Sequence, residues 1–249
     1  MVRYFLKIEY DGAPFVGWQF QQDGLSVQGV LEKAISKLDG VAVRVYGAGR
    51  TDAGVHAIGQ VAHVDLIRKR PLYVIQNAVN ALVVPHPISI VSVNEVEPHI
   101  DARFSAIRRH YLYRISDRRA PFALDRGRVW HYPCAQGLDV EAMQEAAQIF
   151  IGYHDFTTFR SSRCQATSPW RTIQKFVINN VRNEIVIEVC ARSFLHTQIR
   201  SMVGSLCCIG VGKWTSAELE HALLSCDRTS CGPIAPPHGL YLMKIEYQY

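Results

Sequence analysis

Val2, Tyr4, Leu6, Ile8 and Tyr10 fall on one side of an alternating stretch, with Arg3, Lys7 and Glu9 on the other. A period of two predicts a strand over residues 2–10. The phase then changes. Val27, Val30, Leu31, Ala34, Ile35 and Leu38 recur at spacings of three and four behind Ser26, whose hydroxyl suits the first free amides of a helix. VAVRVY (41–46) and QVAHVDL (60–66) return to strand-like alternation, LYVIQNAVNALV (72–83) has helical spacing, and ISIVSVNEVE (88–97) is a further strand. The first half therefore reads β-α-β-β-α-β.

The second half is read as a repeat of that order. A strand is predicted over 111–116 and a helix over 138–151, with Leu138, Met143, Ala146, Ala147 and Phe150 on its apolar side. A hairpin follows, 172–181 and 184–192 turning at Arg182-Asn183, then helices over 196–212 and 216–225, and a closing strand over 239–247. Two tandem βαββαβ units predict an α+β protein: two ferredoxin-like halves, 1–104 and 105–249, with mainly antiparallel sheets joined around a central cleft. Such a cleft suits a large ligand.

Composition narrows the class. Hydrophobic residues make up 48% of the 249 and charged residues 20%, which excludes a disordered chain. The N-terminal residues have no continuous apolar core, and the longest nearly apolar run, 203–212, is too short to span a bilayer, so a cytoplasmic protein without a membrane partner is expected. The seven cysteines show neither C-x-x-C pairs nor Cys/His spacing of a zinc site, so buried thiols are expected and no metal.

The net charge of +5 says little by itself, but its distribution says more. Eight arginines (103, 108, 109, 114, 118, 119, 126, 128) crowd one segment that holds only Asp117 and Asp125 as acids. His110, Tyr111, Tyr113, Trp130, His131 and Tyr132 are interleaved with them or follow directly. Guanidinium forks for phosphate and rings for bases point to a nucleic-acid partner. Arg103, Arg108 and Arg109 are the candidate RNA contacts.

One stretch asks for a chemical explanation. In GAGRTDAGVHA (47–57), glycines and alanines surround Arg50, Thr51 and a single carboxylate, Asp52. A phosphate cradle is excluded, because G-K-[ST] is missing and the stretch joins two strands rather than opening a helix. A metal site is disfavoured, since the glycines argue against the helix that would align Asp52 with His56 and no other acid is near. Two readings remain. The glycines serve a long hairpin connection, or the small flanking residues let another molecule come close to Asp52.

These residues resemble the tRNA pseudouridine synthase A family. GAGRTDAGVHA resembles its signature loop. YDGAPFVGWQFQ (10–21), ARFSAIRRHYLYRI (102–115), DFTTFR (155–160), FLHTQIRSMVGSL (194–206) and APPHGLYL (235–242) resemble five further family segments in the same order. The resemblance implies an enzyme that converts uridine to pseudouridine on the 3′ side of the tRNA anticodon stem-loop, as a homodimer, with no cofactor or metal. It implies that Asp52 is the catalytic carboxylate and that Tyr111 packs on the target uracil. Arg200 pairs with the carboxylate, Arg50 attends the flipped nucleotide, and Leu240 lines the uracil pocket. Two positions depart from the family: Ala13 stands where Thr or Ser is usual, and Ser201 follows Arg200 where Asn is usual.

That chemistry suits the residue types. The base must leave its ribose, turn, and rejoin through carbon, with no redox step. A paired uridine must first be flipped out, at a cost of a few kcal/mol, which phosphate contacts offset. Burying a carboxylate favours its neutral form and a neighbouring arginine reverses this, the part expected of Arg200. Whether the carboxylate attacks C1′, attacks the uracil ring or removes a ribose proton is left open by the sequence.

Overall fold

The computed structural model describes residues 1–248. The chain forms two compact units, Met1–Arg109 together with the chain from Tyr241 onward, and His110–Leu240. In the first unit the elements are β1 (Val2–Tyr10), α1 (Val27–Asp39), β2 (Tyr46–Gly47), β3 (His56–Leu66), α2 (Leu72–Val83) and β4 (Ile88–Val96). β1 lies between β4 and β3, antiparallel to both, and β2 pairs antiparallel with β3. That is the strand order of a ferredoxin-like unit, as the sequence predicts.

Local chemistry explains the elements. Ser26 caps α1 by accepting from the Gly29 amide at 3.2 Å, and Gly40 ends the helix in the left-handed conformation. Val27, Leu31 and Ile35 are fully buried, as are Tyr4, Leu6 and Ile8 of β1. Together they form the core under one face of the sheet.

One predicted strand is corrected. Of residues 41–46 only Tyr46 enters a strand. Val43 and Val45 are buried as the alternation requires. Their amides, however, go to side chains of α1: Val43 donates to Ser36 Oγ at 2.9 Å and Val45 to Glu32 Oε1 at 3.1 Å. Alternation reports which side chains are buried, not which acceptor satisfies the backbone.

His63 of β3 is buried, accepts from the Ala102 amide at Nδ1 (3.1 Å) and stacks on Tyr46 at 4.8 Å. Burial, aided by Arg3, holds its pKa below the ordinary 6.5. A neutral His63 binds fewer protons than its unfolded counterpart, so its stabilising share is present above the unfolded value and is lost as pH falls from that value through the lower folded one. The urea midpoint is therefore expected to be lower at about pH 5.5 than at about pH 7.5, with a shallower fall in His63→Gln. Equal slopes in the two proteins would show that His63 titrates alike folded and unfolded.

The second unit begins on β5 (Ala106–Ser116), which the boundary crosses, and adds β6 (Trp130–His131), α3 (Val140–Ala147), β7 (Gly152–Asp155), β8 (Trp170–Val181), β9 (Glu184–Ala191), α4 (Gln198–Gly210) and α5 (Ser216–Leu224). Its strands run in the order β5-β9-β8-β7, with the short β6 parallel to β5. The predicted hairpin is β8–β9, turning through Arg182 and Asn183, both at positive φ. β7 was not predicted: its four residues are too few for periodicity to show. The closing strand, β10 (Leu240–Tyr247), was expected to complete the second half. From Tyr241 onward it belongs to the first unit, where Tyr241 and Leu242 pair parallel with His56 and Ala57. Among the described residues no helix is long and apolar enough to cross a membrane.

Candidate active site

The Asp52 loop leaves β2 at Gly47 and enters β3 at His56. Several backbone groups along it are tied to the first unit. Ala48 donates to the Val61 carbonyl at 2.8 Å, Gly54 donates to the Phe15 carbonyl at 3.3 Å, and Val55 closes a turn onto the Asp52 carbonyl at 3.2 Å. The Thr51 carbonyl accepts from the Trp18 amide at 3.1 Å, and the Thr51 hydroxyl shares a 2.7 Å hydrogen bond with the buried Tyr10 phenol.

The glycines of this region permit close approach. A Cβ on Gly12 would stand 2.1 Å from the Val55 carbonyl oxygen, and one on Gly47 would stand 2.5 Å from the Trp18 ring. Gly17, at φ +116°, packs against the Thr51 carbonyl. Residues 10–18, within the segment 10–21 singled out in the sequence, are thus a backing plate for the loop. Asp52 itself is half-buried and Arg50 exposed. Ala13 lies at the exposed start of that plate and donates only to Asp11 Oδ1, at 3.0 Å.

His56 is buried. Its Nδ1 lies 3.0 Å from the Gly12 amide and 3.1 Å from Asp11 Oδ1, and its ring stacks on Tyr241 at 4.8 Å. It therefore anchors the loop's far end. Among the described residues no cluster of His, Cys, Asp and Glu could hold a metal ion.

In the second unit, Tyr111, Tyr113 and Ile115 share the buried face of β5. Tyr111 meets the edge of Phe194 at 5.3 Å. The Tyr113 phenol donates to the Pro236 carbonyl at 2.6 Å, and burial raises its pKa far above the ordinary tyrosine value. Gly239, next to Leu240, packs against the Tyr113 ring, and Leu240 is buried.

Arg200 is held from both ends. Its Nε donates to the Ala235 carbonyl at 2.7 Å, and the Ala235 amide donates back to the Arg200 carbonyl at 3.0 Å. Ser201 is fully buried, and its hydroxyl accepts from Arg228 at 3.3 Å. The serine at this position is therefore bonded locally. Just before α4, Thr197 adopts φ +62°, a left-handed conformation that costs a β-branched residue about 1–3 kcal/mol. Such strain at the entrance to the helix bearing Arg200 is typical of functional segments.

A Cβ on Gly204 would stand 1.7 Å from the Pro233 carbonyl oxygen. Gly204→Ala must push the 233–235 segment off α4, and with it the Ala235 partner of Arg200. A destabilisation of about 1–3 kcal/mol and reduced turnover are expected, read by denaturant unfolding and by assay. Wild-type stability with wild-type turnover would refute the claim that this packing sets Arg200.

The arginine-rich segment divides into two kinds. Arg103, Arg108, Arg118, Arg119, Arg126 and Arg128 are exposed. Arg103 lies over the Phe104 ring at 5.4 Å, Arg118 over Phe122 at 3.7 Å, and Arg108 is 3.4 Å from Glu246. Arg114 is bound in a two-pronged pair to Glu184, both bonds 2.8 Å. Arg109, expected to face RNA, is instead buried with 7% exposure and donates to backbone carbonyls.

The sequence reading missed the residues that hold the loop. Gln60 is fully buried and donates to the Gly49 carbonyl at 2.7 Å. Its signal was a polar residue in register with Ala62, Val64 and Leu66.

The chain thus combines two units of mixed α/β structure, a tethered glycine-rich loop carrying a carboxylate, and a run of exposed arginines. Comparison with known proteins names the family. The profile of the family described as tRNA pseudouridine synthase matches residues 7–105 and 146–248. The tRNA pseudouridine synthase A of Afipia carboxidovorans is 54% identical over 99% of this chain and 100% of its own. That of Parvibaculum lavamentivorans is 53% identical over 100% of both, and that of Sinorhizobium medicae 55% identical over 99% of this chain and 100% of its own. The chain belongs to the tRNA pseudouridine synthase family.

Proposed function

We propose that this chain isomerises uridine to pseudouridine in the anticodon stem-loop of tRNA, with Asp52 as the catalytic carboxylate. The observation that carries the reading is the Asp52 loop. A half-buried carboxylate stands on a backbone whose carbonyls and amides are tied at Ala48, Gly49, Thr51, Asp52, Gly54 and Val55. A charge held this firmly meets a reacting sugar or base without reorganising at the moment of reaction.

The reaction balances within the substrate. The bond from C1′ to N1 breaks, a bond from C1′ to C5 forms, the C5 proton passes to solvent and N1 takes up a proton, so the isomerisation calls for no redox cofactor. Tyr111, on the buried face of β5, is assigned to stack on the uracil, and Arg200 to pair with the carboxylate. Arg50 is assigned to the flipped nucleotide and Leu240 to the wall of the uracil pocket. Arg103 and Arg108 are assigned to the RNA backbone. A cytoplasmic homodimer completes the reading, its stoichiometry to be measured by light scattering during gel filtration.

The test is incubation of tRNA carrying tritium at uridine C5 with the pure protein. Tritium release together with pseudouridine mapped to the anticodon stem-loop is expected. Binding without release would make the chain an RNA-binding module, and an abasic site would make it a glycosidase.

A further inference from the structure

We propose that Arg109 is a positioning residue for the Asp52 loop. The inference rests on the reading of Asp52 as the catalytic carboxylate. Arg109 Nη2 donates to the Ala48 carbonyl at 2.7 Å and to the Arg103 carbonyl at 2.7 Å, while Nε approaches the Ala48 carbonyl at 3.3 Å. One planar fork therefore clamps two separate backbone segments, the start of the Asp52 loop and the turn that precedes β5. A lysine ammonium reaches either carbonyl as a point donor but does not reproduce the fork.

The neighbouring Gly49 carbonyl is held by Gln60, so two consecutive loop carbonyls end on buried side chains rather than on a sheet ladder. Carbonyls that turn inward in succession leave the following residues to rise toward Asp52 with little freedom. Displacing a reacting group by about 1 Å costs on the order of 10²-fold in rate. The clamp thus acts on turnover through Asp52, without Arg109 touching RNA.

The experiment compares wild type, Arg109→Lys, Arg109→Met and Asp52→Asn. It measures single-turnover rate, tRNA affinity across a salt series, thermal midpoint, and amide hydrogen exchange of residues 47–55. Arg109→Lys is expected to slow the single-turnover rate by at least about 10-fold, and Arg109→Met by about 100-fold. Affinity and its salt slope stay at wild-type values, and exchange rises in 47–55. Arg109→Lys keeps the charge in place, so it reports even where Arg109→Met fails to fold.

A salt slope reduced by about one unit with an unchanged bound-state rate would instead make Arg109 a phosphate contact and overturn the proposal. A wild-type rate in Arg109→Lys beside a dead Asp52→Asn would overturn the clamp alone. An active Asp52→Asn would overturn the assignment of Asp52 and the clamp with it.

Discussion

Asp52→Asn is expected to lower pseudouridine formation by at least about 10³-fold while leaving tRNA affinity within a few-fold of wild type. Asparagine matches aspartate in shape but carries no charge and has neither the basicity nor the nucleophilicity of a carboxylate. Main-chain atoms of Ala48, Thr51, Asp52, Gly54 and Val55 and the hydroxyls of Thr51 and Tyr10 tie the loop down, and the substitution leaves these in place. Arg103 and Arg108, the arginines assigned to the RNA backbone, lie elsewhere in the sequence and are exposed, as are Arg118, Arg119, Arg126 and Arg128. Tritium release from labelled tRNA gives the rate, and filter binding gives the affinity. Affinity falling in parallel with rate would make Asp52 a structural residue, and turnover persisting near wild type would remove it from the chemistry.

The parts of the molecule that could be read from sequence are those where burial alone decides. Alternation placed β1, and spacing with a Ser26 cap placed α1, because in both the side-chain period follows directly from the backbone period. The 41–45 segment shows the limit. Its alternation correctly marked Val43 and Val45 as buried, but the acceptors for their amides are Ser36 and Glu32, thirteen residues or fewer earlier in the chain and on a helix.

At the site, Asp52 stood out because the residues around it are small. Arg109 was misread because it sits among seven other arginines. Yet it lies in phase with Tyr111, Tyr113 and Ile115, the residues that β5 buries. A charge in the buried register of a strand is either paired or bonded to backbone. Gln60 carried the same signal on β3. What the sequence withholds is the set of carbonyls these side chains serve, since those belong to a loop of irregular conformation.

The division of the arginines changes the expected salt dependence of tRNA binding. Eight phosphate contacts would follow from counting the arginines between 103 and 128. The structure withdraws Arg109, buried on carbonyls, and Arg114, paired with Glu184, leaving six exposed. With about 0.7–0.9 counterions released per phosphate, four to six contacts weaken binding about 10²–10³-fold between about 50 and 200 mM salt. Arg119→Ala and Arg126→Ala are each expected to lower the slope of log affinity against log salt by about one unit. Arg114→Met should leave the slope unchanged, because Arg114 already has a carboxylate partner in Glu184. Filter binding over a salt series measures all three. A flat response in wild type would remove the arginine segment from the RNA-facing surface, and a lowered slope in Arg114→Met would show that its pair with Glu184 opens on binding.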